Sequence, residues 1–112
     1  MSQTVNKAQN QIKELIAAAI QKAQKNGSLP EGVYNAFSVE VPADRNNGDY
    51  STNAAMVNAR AFRLPPRKIA EAISANAELE NTYFEKIEIA GPGFINFFLS
   101  DDYYADILFE IG

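Results

Sequence analysis

Three residue types are missing from this sequence altogether: it has no cysteine, no histidine and no tryptophan. Without cysteine there is no disulfide and no thiolate nucleophile. Without histidine there is no imidazole acid–base catalyst, and most zinc sites lose their ligands. No metal site is expected. Carboxylates remain as potential catalysts, but they are common in every globular protein, so the composition favours a binding module over an enzyme. Long apolar runs are missing too. None approaches the roughly 20 residues that span a bilayer, and the Ser-, Gln- and Asn-rich N-terminus lacks the apolar stretch of a secretory signal. The expectation is a cytoplasmic protein with no membrane contact. No internal repeat or low-complexity tract is present.

What is present describes one globular domain, taken as residues 1–112. Apolar residues make up 46% and charged residues 21% of the 112 positions, enough for a single small core. The net charge is −4, which argues against an autonomous nucleic-acid binder, usually a basic protein. The charge is unevenly spread. Residues 52–70 hold Arg60, Arg63, Arg67 and Lys68 without an acid, a local +4, whereas residues 71–112 sum to −8. One face can therefore meet a polyanion.

Along the chain, Ile12, Leu15, Ile16, Ala19 and Ala23 recur at helical spacing and predict a helix from about Asn6 to Lys25, stopped by Gly27 and Pro30. Phe37 to Val41 alternates as a half-buried strand does, and Pro42 ends it. Asn47-Gly48-Asp49 signals a turn in a polar loop, with a further short strand possible there but not legible. Ser51 or Thr52 can cap a second helix running to about Arg63. Leu64-Pro65-Pro66 breaks it, and Pro66 opens a third with Ile69, Ala70, Ile73 and Ala77 on its buried side. Phe84–Ala90 and Phe94–Leu99 predict a β-hairpin around Gly91-Pro92-Gly93. Ser100-Asp101-Asp102 begins a last helix containing Ile107, Leu108 and Ile111. The result is an α+β two-layer sandwich, an antiparallel sheet with helices on one face and an α-β-β-α-β-β core.

The last strand carries the most information. Alternation puts Ile95, Phe97 and Leu99 on one face and Phe94, Asn96 and Phe98 on the other. The purely apolar set suits the core, leaving two aromatics around an amide. Rings stack on unpaired bases, and an amide offers both a donor and an acceptor to a base edge. The plainer reading is that Phe94 and Phe98 pack beneath a helix or loop. In Asn47–Asn53, Tyr50 can stack and Asn53 can bond a ribose or base, although a turn followed by a helix cap explains the same residues. Arg60, Arg63, Arg67 and Lys68 form either a solvated helix face or a set of phosphate contacts.

Three blocks resemble a known family. Gly48-Asp49-Tyr50-Ser51-Thr52-Asn53-Ala54-Ala55 is similar to the G-D-Y-A/S-S/T-N-x-A segment of bacterial arginyl-tRNA synthetases. Pro66-Arg67-Lys68-Ile69-Ala70-Glu71 resembles their N-P-R-x-I/L-A-E helix start. Ile87 to Phe97 closely resembles their V-E-I/V-A-G-P-G-F-I-N-F strand pair. The order and spacing of the blocks cover the chain as that family's N-terminal additional domain. Two positions depart from the pattern: Asn47 stands where the family usually has His, and Pro65 where it has Asn.

The resemblance implies a four-stranded sheet and a domain that reaches the outer corner of tRNA, where Phe94 and Asn96 meet a D-loop base. It implies a monomeric arginine–tRNA ligase that uses ATP and Mg²⁺, with tRNA(Arg) and its own catalytic domain as partners. This domain itself would bind no cofactor and hold no catalytic residue. The family's H-I-G-H-like and K-M-S-K-like motifs are not in this sequence, so the catalytic and anticodon-binding domains are expected to lie outside it. Two other classes compete: a stand-alone RNA-binding protein, and a protein-interaction domain that buries Phe94 and Phe98 against a partner. On the ligase reading, the purified 112-residue chain is expected to show no arginine-dependent ATP–pyrophosphate exchange, with or without tRNA; robust exchange in that assay would overturn it.

Overall fold

A computed structural model describes residues 3–111, with side chains for 6–44, 46–106 and 108. Helix α1 spans Gln3–Lys25, followed by strand β1 (Val39–Glu40), a 3-10 turn (Arg45–Asn47) and strand β2 (Tyr50–Thr52). Two short helices, α2 (Ala54–Val57) and α3 (Ala59–Phe62), precede α4 (Pro66–Asn76). Strands β3 (Phe84–Ala90) and β4 (Phe94–Leu99) form the hairpin, and α5 (Asp101–Ile111) follows. The four strands form one antiparallel sheet in the order β1-β2-β4-β3, the α+β class expected from the sequence.

The core lies between this sheet and α1 with α4. Ala8, Ile12, Ile16, Ala19, Ile20 and Ala23 bury one stripe of α1, and Ile69, Ala70 and Ile73 bury one side of α4. From the sheet come Tyr50, Phe84, Ile95 and Phe97, whose rings meet edge to face: Phe84 lies 5.4 Å from Phe97 and 6.2 Å from Tyr50. Register explains the selection. Tyr50 pairs with Phe97 and Thr52 with Ile95, so alternate residues of β2 and β4 share the helix-covered face.

The elements differ from the sequence expectation in four places. The alternating run Phe37–Val41 pairs only over Val39–Glu40. The illegible strand is β2, three residues long, and it takes up Ser51 and Thr52, which were expected to cap a helix. Thr52 still reaches that helix, since its hydroxyl oxygen accepts the Ala54 N–H at 3.3 Å while donating to the Ser38 carbonyl at 2.8 Å. The single helix expected to Arg63 is broken at Asn58. That buried amide donates to the Ala54 carbonyl at 2.8 Å and accepts the Asn35 N–H at 2.6 Å, so it serves a neighbouring loop and its backbone leaves helical geometry. Leu15 and Ala77 are only half-buried, whereas Ile20, unremarked in the sequence, is fully buried. In the last helix Leu108 is exposed, and the side chains of Ile107 and Ile111 lie outside the described residues.

Phe97 is 0% exposed at the centre of this core, whereas Phe98 is half-buried on the opposite face. Phe97→Ala is expected to cost about 3–5 kcal/mol in a urea titration, and Phe98→Ala distinctly less; equal losses would mean that both faces are core. Burial, with smaller contributions from Tyr103 and Asp49, pushes the Tyr50 phenol up to about 12, against about 10 in an unfolded chain. The folded state therefore holds this proton where the unfolded state releases it. Stability from Tyr50 is present below pH ~10 and is lost as pH rises toward ~12. Denaturant midpoints measured across that window should fall less steeply for Tyr50→Phe than for the parent chain.

Candidate nucleic-acid interface

The face turned away from the helices is ordered by strand register. Glu40, Ser51, Asn96 and Glu88 stand in one row across all four strands, because Glu40 pairs with Ser51, Ser51 with Asn96 and Asn96 with Glu88. Phe94 beside Ala90 and Phe98 beside Lys86 lie in the rows on either side. Alternation in the sequence had put Phe94, Asn96 and Phe98 together, and they do share this face. The face is not open, however. The segment running from Pro42 to Gly48 lies against it and, with the sheet, encloses a groove of about 350 Å³. Glu40, Pro42, Asn47, Ser51, Ala90, Gly91, Pro92, Phe94 and Asn96 line it.

The three residues of interest meet different surroundings. Asn96 is only 3% exposed overall, on the floor of the groove, and its side-chain amide is turned to the groove. Phe94 is 42% exposed and borders a second hollow lined by Ser38, Asn53 and Met56. Phe98 is already covered: the Lys86 ammonium sits 4.4 Å above its ring, and the ring edge approaches Gly48. Lys86 in turn pairs with Glu88 at 3.1 Å. Phe98 thus has a packing role within the domain.

Gly48 explains how the groove wall is held. Its φ is +90°, and a side chain there would stand 2.9 Å from the Phe97 carbonyl oxygen. Next to it, Asp49 extends the β2–β4 ladder: its N–H donates to the Phe97 carbonyl at 2.9 Å, and its carboxylate accepts the Leu99 N–H at 3.0 Å. Tyr50 follows directly, 5% exposed on the helix side of the sheet. The stacking expected of Tyr50 conflicts with that burial, because its ring packs against Phe84. Asn53 is half-buried, and its side-chain oxygen accepts the Ser38 N–H at 2.9 Å, anchoring the chain ahead of β1.

Among the four basic residues, Arg60, Arg63, Arg67 and Lys68 are all exposed, but only Arg67 touches a groove residue. Its guanidinium donates to the Gly91 carbonyl at 2.8 Å. Lys68 lies 3.8 Å from Glu71, an exposed pair of little energetic weight. Sequence reasoning missed Asn58, Ser51, Glu40 and Pro42. The Glu40–Ser51–Asn96 row needs the register of a three-residue strand, and no composition signal marks that. Among the described residues, no group of three or more His, Cys, Asp or Glu could hold a metal ion, and no helix is long and apolar enough to cross a membrane.

Comparison with known proteins bears on this arrangement. The arginine–tRNA ligase of Acetivibrio thermocellus is 43% identical over 108 residues, covering 96% of this chain and 19% of that protein. The arginine–tRNA ligase of Staphylococcus aureus strain JH9 is 41% identical over 106 residues, covering 95% of this chain and 18% of that protein. The crystal structure of arginyl-tRNA synthetase from Plasmodium falciparum superposes with a TM-score of 0.58 at 27% identity, over 81% of this chain and 16% of that one. The chain thus spans about one fifth of the length of the curated relatives it matches. The family model described as the arginyl tRNA synthetase N terminal domain matches residues 10–99, and with sequence and fold in agreement the chain belongs to the arginyl-tRNA synthetase N-terminal domain family.

Proposed function

We propose that the groove on the outer face of the sheet receives a base of the tRNA D-loop, at the outer corner of the L-shaped molecule. The domain would do so as part of an arginine–tRNA ligase that joins arginine to tRNA(Arg) with ATP and Mg²⁺. The observation that carries this reading is the position of Asn96, a recessed amide on the floor of a groove with Phe94 at its rim. A base edge satisfies donor and acceptor together, and Phe94 at the rim supplies a ring on which a base can stack. Asn53 borders the same ring.

The groove itself is unfavourable to phosphate, because the Glu40 carboxylate lines it. Contact with the RNA backbone falls to Arg60, Arg63, Arg67 and Lys68, which fix register without reading sequence. In this reading the domain contributes binding and orientation, the chemistry belongs to a catalytic domain of the same enzyme, and the enzyme works as a cytoplasmic monomer. With a net charge of −4, binding by the 112-residue chain alone should be weak. About four phosphate contacts give a log–log salt slope near −3 to −4.

In a full-length ligase carrying this domain, Asn96→Ala is expected to leave the fold intact and to lower kcat/KM for tRNA by roughly 5- to 150-fold, the worth of a bidentate base contact. KM for ATP and for arginine should hardly change. Altering the target D-loop base should cost the parent enzyme a similar factor and the variant almost nothing further. If the two losses simply multiply, Asn96 does not meet that base.

A further inference from the structure

We propose that Arg67 and Phe94 hold one and the same nucleotide, the ring stacking on its base and the guanidinium meeting its phosphate. This inference rests on the D-loop reading above and deepens it. The two side chains are far apart in sequence, yet both are organised around Gly91. The Arg67 Nη1–H donates to the Gly91 carbonyl at 2.8 Å. The Phe94 ring also lies against Gly91, with its Cδ2 3.8 Å from where a Cβ would stand. Gly91 has φ +56°, the left-handed conformation.

The support beneath this pair is stiff. Gly93 has φ +143°, and a Cβ added there would come within 2.9–3.1 Å of Pro66 Cβ, C and O. The hairpin turn is thus seated directly on the first turn of α4, and Arg67, the next residue, closes the joint. One guanidinium N–H is spent on Gly91. Of the five donors a guanidinium carries, the rest remain for a ligand, already oriented by the first. The charges nearby leave Arg67 this role. Lys86 is committed to Glu88 and to the Phe98 ring. Arg60, Arg63 and Lys68 do not line the groove, whereas Gly91, on which Arg67 is fixed, does. A base drawn from the groove rim over Phe94 therefore has its own phosphate, one sugar away, facing a fixed cation.

The test is binding of a labelled tRNA(Arg) transcript to the 112-residue chain across a potassium chloride series, for the parent, Arg67→Gln, Arg67→Lys, Phe94→Ala, Asn96→Ala and the Arg67→Gln/Phe94→Ala double variant. Circular dichroism should first show unchanged folding, since Arg67 is exposed and Phe94 lies outside the core at 42% exposure. Arg67→Gln should weaken binding about tenfold and flatten the log–log salt slope by about 0.7–0.9, the share of one phosphate. Arg67→Lys should keep the parent slope and recover part of the affinity. Phe94→Ala should weaken binding by about 5- to 150-fold with the slope unchanged. The double variant should lose much less than the product of the single losses, because either change releases the same nucleotide. Weakening by Arg67→Gln with no change of slope would make Arg67 a brace for the turn only and overturn the proposal. So would losses that multiply in the double variant, which would put the two side chains on different nucleotides. If Phe94→Ala and Asn96→Ala both leave binding at the parent value, the D-loop reading itself fails, and this inference with it.

Discussion

The three-residue pairing of β2 against β4 governs the rest of the domain. A strand of Tyr50–Thr52 is too short to hold its place by ladder hydrogen bonds alone. Asp49 locks it from one end, with a backbone bond to Phe97 and a carboxylate bond to the Leu99 N–H. Gly48 allows the close approach that this requires. From the other end, Thr52 bonds back to Ser38 and so recruits β1. A slip of one residue would turn Tyr50 out of the core and send Ser51 into it. The Glu40–Ser51–Asn96–Glu88 row would be lost in the same step, and the groove with it.

Much of this was legible in the sequence, for physical reasons that can be named. The α1 stripe, the buried side of α4 and the β3–β4 hairpin rest on long periodic patterns or on turn glycines, and both survive tertiary context. The α+β class followed from them. What the sequence concealed depends on contacts distant in the chain. Asn58 reads as one more residue of a helix until Asn35 is known to lie beside it. Tyr50, flanked by polar residues, reads as a surface ring, and only the register with Phe97 turns it inward. Period two assigned Asn96 correctly to the outer face, but the segment that covers this face returns from residues 42–48 and has no periodicity of its own. The family resemblance of Ile87–Phe97 drew attention to Asn96, and the structure adds the depth at which its amide lies.

Charge and recognition are separated in this domain. The outer row ends in carboxylates, and the basic residues sit on the helical segment that begins with α3 and continues into α4. Under the proposed function a tRNA meeting this surface would be steered by one region and read by another, with general attraction and base discrimination drawing on different side chains. Under the proposed function the overall acidity would act as a filter, since non-specific RNA gains little from a domain of net charge −4.

Hairpin tips are usually the places where a protein tolerates insertions and drift, because little packs against them. The Gly91-Pro92-Gly93 tip departs from that rule. Gly93 rests on Pro66 with no room for a methyl group, and Gly91 is tied to Arg67. A change in the length of this turn would push against the start of α4 and carry Phe94 with it. For anyone splicing a tag, a label or a new loop into this domain, the hairpin tip is therefore closed. The loop around Val33, which is 93% exposed and where a Cβ added at the neighbouring Gly32 would meet nothing within 4 Å, is the place with room to spare.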